Sequence, residues 1–442
     1  MSRFSFVFCL ILGFGVADVC SAEGNWNQFR GPKGNGETES TNLPVEFGEE
    51  KNLRWKTAIH GKGWSSPVIW GDQIWLTTAP YEGTELYAVC VDLKSGAIVH
   101  DIKVFDVEEP MMEYPTLNTH ASPTSVVEEG RVYVHYGSYG TAALDTETGE
   151  KLWENREYTC DHRIRPASSP IVEGDSLFLT FDGVDKQFIV ALNKHTGETI
   201  WYQDLIVDSD HITMLKAEGM TEEKAKELDA RLPNDNRKSS ATPLVIEIDG
   251  EKQLISPAAE VTISYDLETG EENWRIRHTG QGFNVTGRPI YEDGLLFLTT
   301  GQAKRFIVVD PKGAEGDVTD TNLLWDATGR VSEMPSPLVI DGLVFMVTDK
   351  GGSVGCWDAK TGEQIWRKRL PAGGQYWASP LYADGKIYFS SQKGVVTVIE
   401  AARELKVIAE NVFEGASFIA SPAVAGDDLI LRSGTDLYCF GE

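Results

Sequence analysis

Short stretches of alternating apolar and polar residues, punctuated by turns, recur along the chain. PLVIDGLVFMV from Pro337, PIVEGDSLFLT from Pro170 and PLYADGKIYFS from Pro380 share one form. Each begins with Pro, runs through a few apolar residues, turns at an acidic residue and Gly, and continues with period-2 alternation. Gly tolerates the positive φ of a tight hairpin turn, so each stretch predicts a β-hairpin. Pro fits the first position of a strand, where no ladder donor is lost.

Eight such openings occur, at Ser66-Pro67, Ser122-Pro123, Ser169-Pro170, Thr242-Pro243, Arg288-Pro289, Ser336-Pro337, Ser379-Pro380 and Ser421-Pro422. A second signature follows several of them: DTETGEKLW from Asp145, NKHTGETIW from Asn193, DLETGEENW from Asp266 and DAKTGEQIW from Asp358. Asp or Asn bonds its own backbone two residues on, and Gly supplies the left-handed conformation. The Trp at fixed offset predicts a ring buried against a neighbouring sheet, with an N–H that needs a partner. Trp55, Trp153, Trp201, Trp274, Trp325 and Trp366 are the docking tryptophans on this reading. Turn geometry accounts for the recurring acids, which are therefore not read as catalytic pairs or calcium ligands.

Four strands per unit, repeated every forty to fifty residues, predict an all-β fold: an eight-bladed β-propeller of four-stranded antiparallel blades over residues 51–442. The last unit ends one strand short. Asn52-Leu53-Arg54-Trp55 mirrors Asn322-Leu323-Leu324-Trp325, so residues near 51–59 are expected to complete the last blade and close the ring. The first blade has His100 where Trp is expected, the seventh lacks the turn Gly, and the fifth stretches its turn through PKGAEGDVTDTN. Residues 206–237 lie outside the pattern. There TEEKAKELDARLP predicts a short helix with Thr221 as cap, Ala225, Leu228 and Leu232 on one face and Pro233 as stop.

Composition narrows the picture. The 442 residues are 41% hydrophobic and 24% charged, with a net charge of −27, which argues against nucleic acid or anionic membrane as a general partner. Residues 1–22 read as a signal peptide: Arg3, an apolar stretch from Phe4 to Val16, and a small-residue cleavage site at Cys20-Ser21-Ala22. Export to the periplasm or cell envelope follows, without a transmembrane span. Val19 is bulky where a lipid-anchor signal at Cys20 wants a small residue. Residues 23–50 form an extended N-terminal arm on this reading. Cys90, Cys160, Cys356 and Cys439 match no zinc spacing and sit in separate repeats, which predicts unpaired thiols.

In a propeller the residues just before each innermost strand crowd one mouth of the axial channel. Here they include Lys62, Trp64, His120, His162, Arg163, Arg165, Arg237, Lys238, Asn284, Arg288, Tyr376 and Trp377, with Glu333 as the main acid. Cations and aromatic faces at one concave mouth predict a site for an anionic or planar ligand or an acidic peptide. No catalytic constellation, metal set or nucleophile elbow is legible, so no catalytic residue and no metal is assigned.

The A-L-D-x-x-T-G-x-x-x-W repeat resembles the eight-bladed propellers with pyrroloquinoline quinone (PQQ)-like repeats. WNQFRGPKGNG, from Trp26 to Gly36, is similar to the start of exported members of that group. The resemblance has two branches. Quinoprotein alcohol dehydrogenases carry PQQ and calcium on the axis; the scaffold lipoprotein of the barrel-assembly machinery is non-catalytic and serves outer-membrane protein assembly. The first usually has an adjacent Cys pair, and no two cysteines adjoin here; the second needs a lipobox, which Val19-Cys20 serves poorly. The expectation is an exported, non-catalytic binding or scaffold module of the envelope with a protein or peptide partner and no cofactor. The alternatives are a PQQ-dependent oxidoreductase and an envelope sensor of a small anionic ligand.

Overall fold

A computed structural model describes residues 24–111, 118–205, 212, 215–216, 219–231, 235–278, 284–301 and 304–442. Residues 1–22, where a signal peptide is expected, and Leu232 and Pro233 of the insertion lie outside the described residues.

Eight antiparallel sheets form the blades of a propeller. Their inner strands, which define blades 1 to 8, are Val68–Trp70, Val126–Glu128, Ile171–Glu173, Leu244–Ile248, Ile290–Glu292, Leu338–Ile340, Leu381–Ala383 and Ala423–Ala425. The inner strand of blade 1 touches those of blades 2 and 8, so the ring is closed. Closure comes from the segment the sequence assigns to it. Leu53–Ala58 pairs antiparallel with Asp436–Phe440 as the outer strand of blade 8, with Leu53 opposite Phe440 and Ala58 opposite Asp436.

The recurring turn and its Trp hold neighbouring blades together. Asp145 Oδ1 accepts the N–H groups of Glu147 and Thr148 and the Thr148 hydroxyl, and Asp266 and Asp358 repeat the arrangement. Trp153 of blade 2 donates Nε1–H to the Lys194 carbonyl in the turn of blade 3, at 2.9 Å. Trp55 reaches Leu93, Trp201 reaches Leu267, Trp325 reaches Ala359 and Trp366 reaches Ala402 in the same way. Each N–H thus answers a carbonyl of the next blade. The turn Gly is required twice over: Gly197 has φ +75°, and a Cβ there would stand 2.5 Å from the Trp153 ring.

Trp274 departs from this scheme. Its N–H goes to Gln253 Oε1 of its own blade at 2.9 Å. The long turn of blade 5 supplies the reason, since its Gly316–Asp317 pairs in parallel with Trp274 and Arg275 and adds a fifth strand to blade 4.

Blade 2 corrects a register. Its inner strand begins at Val126, so the residues equivalent to Ser66-Pro67 are Thr124-Ser125. Ser122-Pro123, which the sequence suggests as the opening, lies two residues too early. In the insertion, helix α1 spans Glu222–Arg231, with Ala225 buried against Leu215 and Leu228 partly buried beside them. The Ala225 N–H bonds the Thr221 carbonyl at 2.9 Å. The four cysteines, Cys90, Cys160, Cys356 and Cys439, are free and buried. No helix among the described residues is long and apolar enough to cross a membrane.

Candidate functional site: an axial cup

The residue that opens each inner strand builds a crown around the axis. The Ser66 N–H donates to Thr124 Oγ1, Thr124 to Ser169, and Ser169 to Thr242, all at 2.9–3.0 Å. Beyond a break, Arg288 N–H donates to Ser336, Ser336 to Ser379, Ser379 to Ser421, and Ser421 back to Ser66, at 2.9–3.0 Å. A small hydroxyl residue therefore recurs at this position because its side chain satisfies the backbone of the preceding blade.

The crown rims a cavity of about 130 Å³ on the ring axis. Every blade contributes to its wall, including Trp64, Asn118, Asn284, Met334, Trp377 and Ile419, and none of the described lining residues is charged. Trp64 and Trp377 meet edge to face, with centroids 5.8 Å apart. Phe29 also lines the cavity.

Phe29 belongs to the arm, which crosses the axis beneath the crown. Residues 26–36 are wound into tight turns rather than extended, with Gly31 N–H on the Gln28 carbonyl and Gly36 N–H on the Arg30 carbonyl. Trp26 exchanges two backbone hydrogen bonds with Ile69 of blade 1, and Asn27 accepts from Val127 of blade 2. Across the axis, Arg30 donates to Pro337 of blade 6 at 2.7 Å, and Gly36 accepts from Tyr382 of blade 7. Arg288 of blade 5 clamps the middle: its guanidinium donates to the Phe29 carbonyl and to Gln28 Oε1. The channel is thereby a blind cup. The sequence shows the WNQFRGPKGNG motif, but nothing in its local pattern signals that it belongs on the axis.

The mouth residues suggested by sequence do not all reach the cup. Trp64, Asn284 and Trp377 line the cup. Lys62 stands beside it, 5.8 Å from the ring centres of both Trp64 and Tyr81. Arg163 is half-buried, and His120, His162, Arg165, Lys238, Arg288 and Tyr376 are buried; none of these seven is among the lining residues. Tyr376 packs in the core between blades 6 and 7. Arg165 donates to the Asn118 carbonyl at 3.1 Å. Lys238 and Asp182 lie together, and burial raises the Asp182 carboxyl to about 7 against the pull of that lysine. Glu333 pairs with Lys304, which also bonds Asp349. Arg165, Lys238 and Arg288 turn back into the protein to reach backbone carbonyls, which spacing does not encode.

Three buried guanidiniums stand close to the crown. Arg288 joins it through its own N–H, Arg30 lies in the arm, and Arg432 donates to Ser65 and to the Thr77 carbonyl. Burial lowers each to about 9, which leaves all three charged at neutral pH.

PQQ and calcium, which one branch of the resemblance implies, call for cations and carboxylates around the axis. The described lining of the cup is uncharged and its volume falls below the roughly 300–1,000 Å³ of ordinary ligand pockets. Among the described residues no group of three or more His, Cys, Asp or Glu side chains is placed to hold a metal. These residues do not fit that cofactor.

Comparison with known proteins now places the chain. The repeat family described as outer membrane protein assembly factor BamB matches residues 89–214 and 185–433. The chain belongs to this family of PQQ-like propellers. Quinoprotein ethanol dehydrogenase of Pseudomonas aeruginosa is 34% identical over 83 residues, which are 17% of this chain and 12% of that protein. Quinoprotein alcohol dehydrogenase PedH of Pseudomonas putida is 38% identical over 79 residues, 17% and 13% of the two chains. The matched stretches are thus about an eighth of these curated relatives. Among solved structures, BamB from Moraxella catarrhalis aligns with a TM-score of 0.59 at 14% identity, covering 88% of this chain and 99% of that one. A europium-containing methanol dehydrogenase aligns at 0.71 and 12% identity, covering 96% and 99%. At such identities the likeness shows the shared fold.

Proposed function

We propose that this protein is an exported binding or scaffold propeller of the cell envelope, acting through contacts with another protein. One observation carries the reading: the chain's own arm crosses the axis, where Phe29 floors a small uncharged cup. Membership of the BamB-described family supports it as well. An axial redox reaction would have to displace the arm and recruit charged groups that the cup does not present. The likeness to dehydrogenases is a likeness of fold, so fold alone supplies no argument for their chemistry.

A photocrosslinking amino acid in place of Trp377, at the cup, and another in place of exposed Lys94, on a blade's outer turn, test the reading in intact cells. A discrete adduct to one envelope protein from either position supports a scaffold. Absence of any protein adduct from both, with quinone-dependent alcohol oxidation by the purified chain, contradicts it.

A further inference from the structure

The crown has one open link. Seven of its eight backbone N–H groups end on a hydroxyl of the next blade. The eighth belongs to Thr242, and the next blade presents Arg288 where a hydroxyl is needed. Thr242 is buried, lines the cup, and its N–H has no acceptor among the described residues. Buried N–H groups without a partner are rare, and each asks for an explanation.

The surroundings of this N–H are rich in donors. Asn284, beside it on the wall, accepts from Ser240 through Oδ1, and no acceptor is found for its Nδ2 among the described residues. Asn284 is held at φ +65°, a conformation that Asn tolerates, and the Ser240 hydroxyl on its Oδ1 orients the amide. The crown hydroxyls of Ser169 and Thr242 each accept one backbone N–H, and their own protons are not committed to any described group. Behind them is Arg288, charged and fully buried, with its guanidinium spent on carbonyl and amide oxygens and no described carboxylate among its partners. Donors without matching acceptors, in a pocket biased positive by a buried cation, select an oxygen acceptor that carries negative charge.

We infer that the gap between blades 4 and 5 is a carboxylate-binding subsite, in which Thr242 N–H, Asn284 Nδ2–H and the flanking hydroxyls receive the two carboxylate oxygens. The cup holds one small group, so the ligand is either a free short-chain carboxylate or the carboxyl end of a peptide. The inference rests on the cup being a binding site, and it gives the proposed partner contact its chemistry.

The Thr242 amide itself is the reporter. Protein comprising residues 23–442, labelled with ¹⁵N, is titrated with propionate, with N-acetyl-dialanine, and with the same peptide amidated at its C-terminus. The expected result is a saturable downfield shift of the Thr242 amide with the two carboxylates and none with the amidated peptide. Asn284→Gly, which keeps the backbone conformation available, is expected to weaken that binding about tenfold while amides of blades remote from the cup keep their parental positions. A peptide that binds more tightly than propionate identifies a chain end as the ligand, and equal affinity identifies a free solute. A Thr242 amide that no carboxylate moves, an amidated peptide that moves it equally, or Asn284→Gly binding as well as the parent would overturn the inference. Each of those outcomes leaves the crosslinking result standing, so the two readings fail separately.

Discussion

Thr242 and Arg288 form the single open link in a crown that is otherwise closed by seven N–H-to-hydroxyl hydrogen bonds. Arg288 gives up the hydroxyl of its position and uses its guanidinium to hold the arm at Phe29 and Gln28. Arg288→Ser should therefore act in two directions at once. Hydrogen exchange at the Thr242 amide should slow, because a hydroxyl returns. Tryptic cleavage after exposed Lys33 should accelerate, because the arm loses its clamp. Exchange and cleavage rates left at parental values would show that neither link depends on residue 288.

Blade docking through the turn glycine is separable from its backbone requirement. Gly174 and Gly197 both have positive φ, +56° and +75°, but a Cβ at Gly174 meets nothing within 4 Å whereas one at Gly197 meets Trp153 at 2.5 Å. Gly174→Ala should cost about 1 kcal/mol from conformation alone. Gly197→Ala should cost a further ~1–3 kcal/mol from overpacking, read from chemical denaturation midpoints.

Removing only the indole donor isolates the hydrogen bond between blades. Trp153→Phe keeps an aromatic ring but leaves the Lys194 carbonyl without its donor. A loss of about 1–2 kcal/mol is expected. Trp274→Phe should leave the junction between blades 4 and 5 intact by comparison, since its partner is Gln253 of its own blade.

Buried His135 supplies a pH dependence of known sign. Burial lowers its imidazole from 6.5 to about 3, and Nδ1 bonds the Thr141 hydroxyl at 2.8 Å. The unfolded chain binds a proton near pH 6.5 that the folded chain refuses until about pH 3. Its stabilising contribution is thus complete above pH 6.5 and declines as pH falls towards 3. Asp182, raised to about 7, acts oppositely, because the folded chain keeps a proton that the unfolded one releases. The His135 part is isolated by comparing unfolding of the parent with His135→Asn. The parent should lose stability relative to the variant below pH 6.5, with a slope of one proton, and the two curves should run parallel above it.

Much of this was legible from sequence, for a reason particular to repeats. Asp145, Gly149 and Trp153 are a local turn and its anchor; the eight Pro openings disclosed the blade count, and the likeness of Asn52–Trp55 to Asn322–Trp325 disclosed the closure. Local pattern could not show that the Trp153 N–H ends on Lys194, although it showed that the indole needed a partner. The arm was the largest gap. Its contacts with Pro337, Tyr382 and Arg288 are separated by more than 250 residues, and no periodicity connects them. Residues that precede the inner strands do gather around the axis, Trp64, Asn284 and Trp377 among them, but the charged ones do not line the cup. Arg165 and Arg288 lie within two residues of lining positions, yet their side chains fold back to backbone carbonyls, and the lining is left to hydroxyls, amides and indoles.

The most direct measurement is a titration of the chain lacking residues 1–22 with PQQ and calcium together, following the heat of binding and the absorption spectrum. An axis taken by the chain's own arm predicts no saturable binding up to high micromolar quinone, and no alcohol-dependent dye reduction. Stoichiometric binding with alcohol-dependent dye reduction would contradict the account and make this propeller an oxidoreductase.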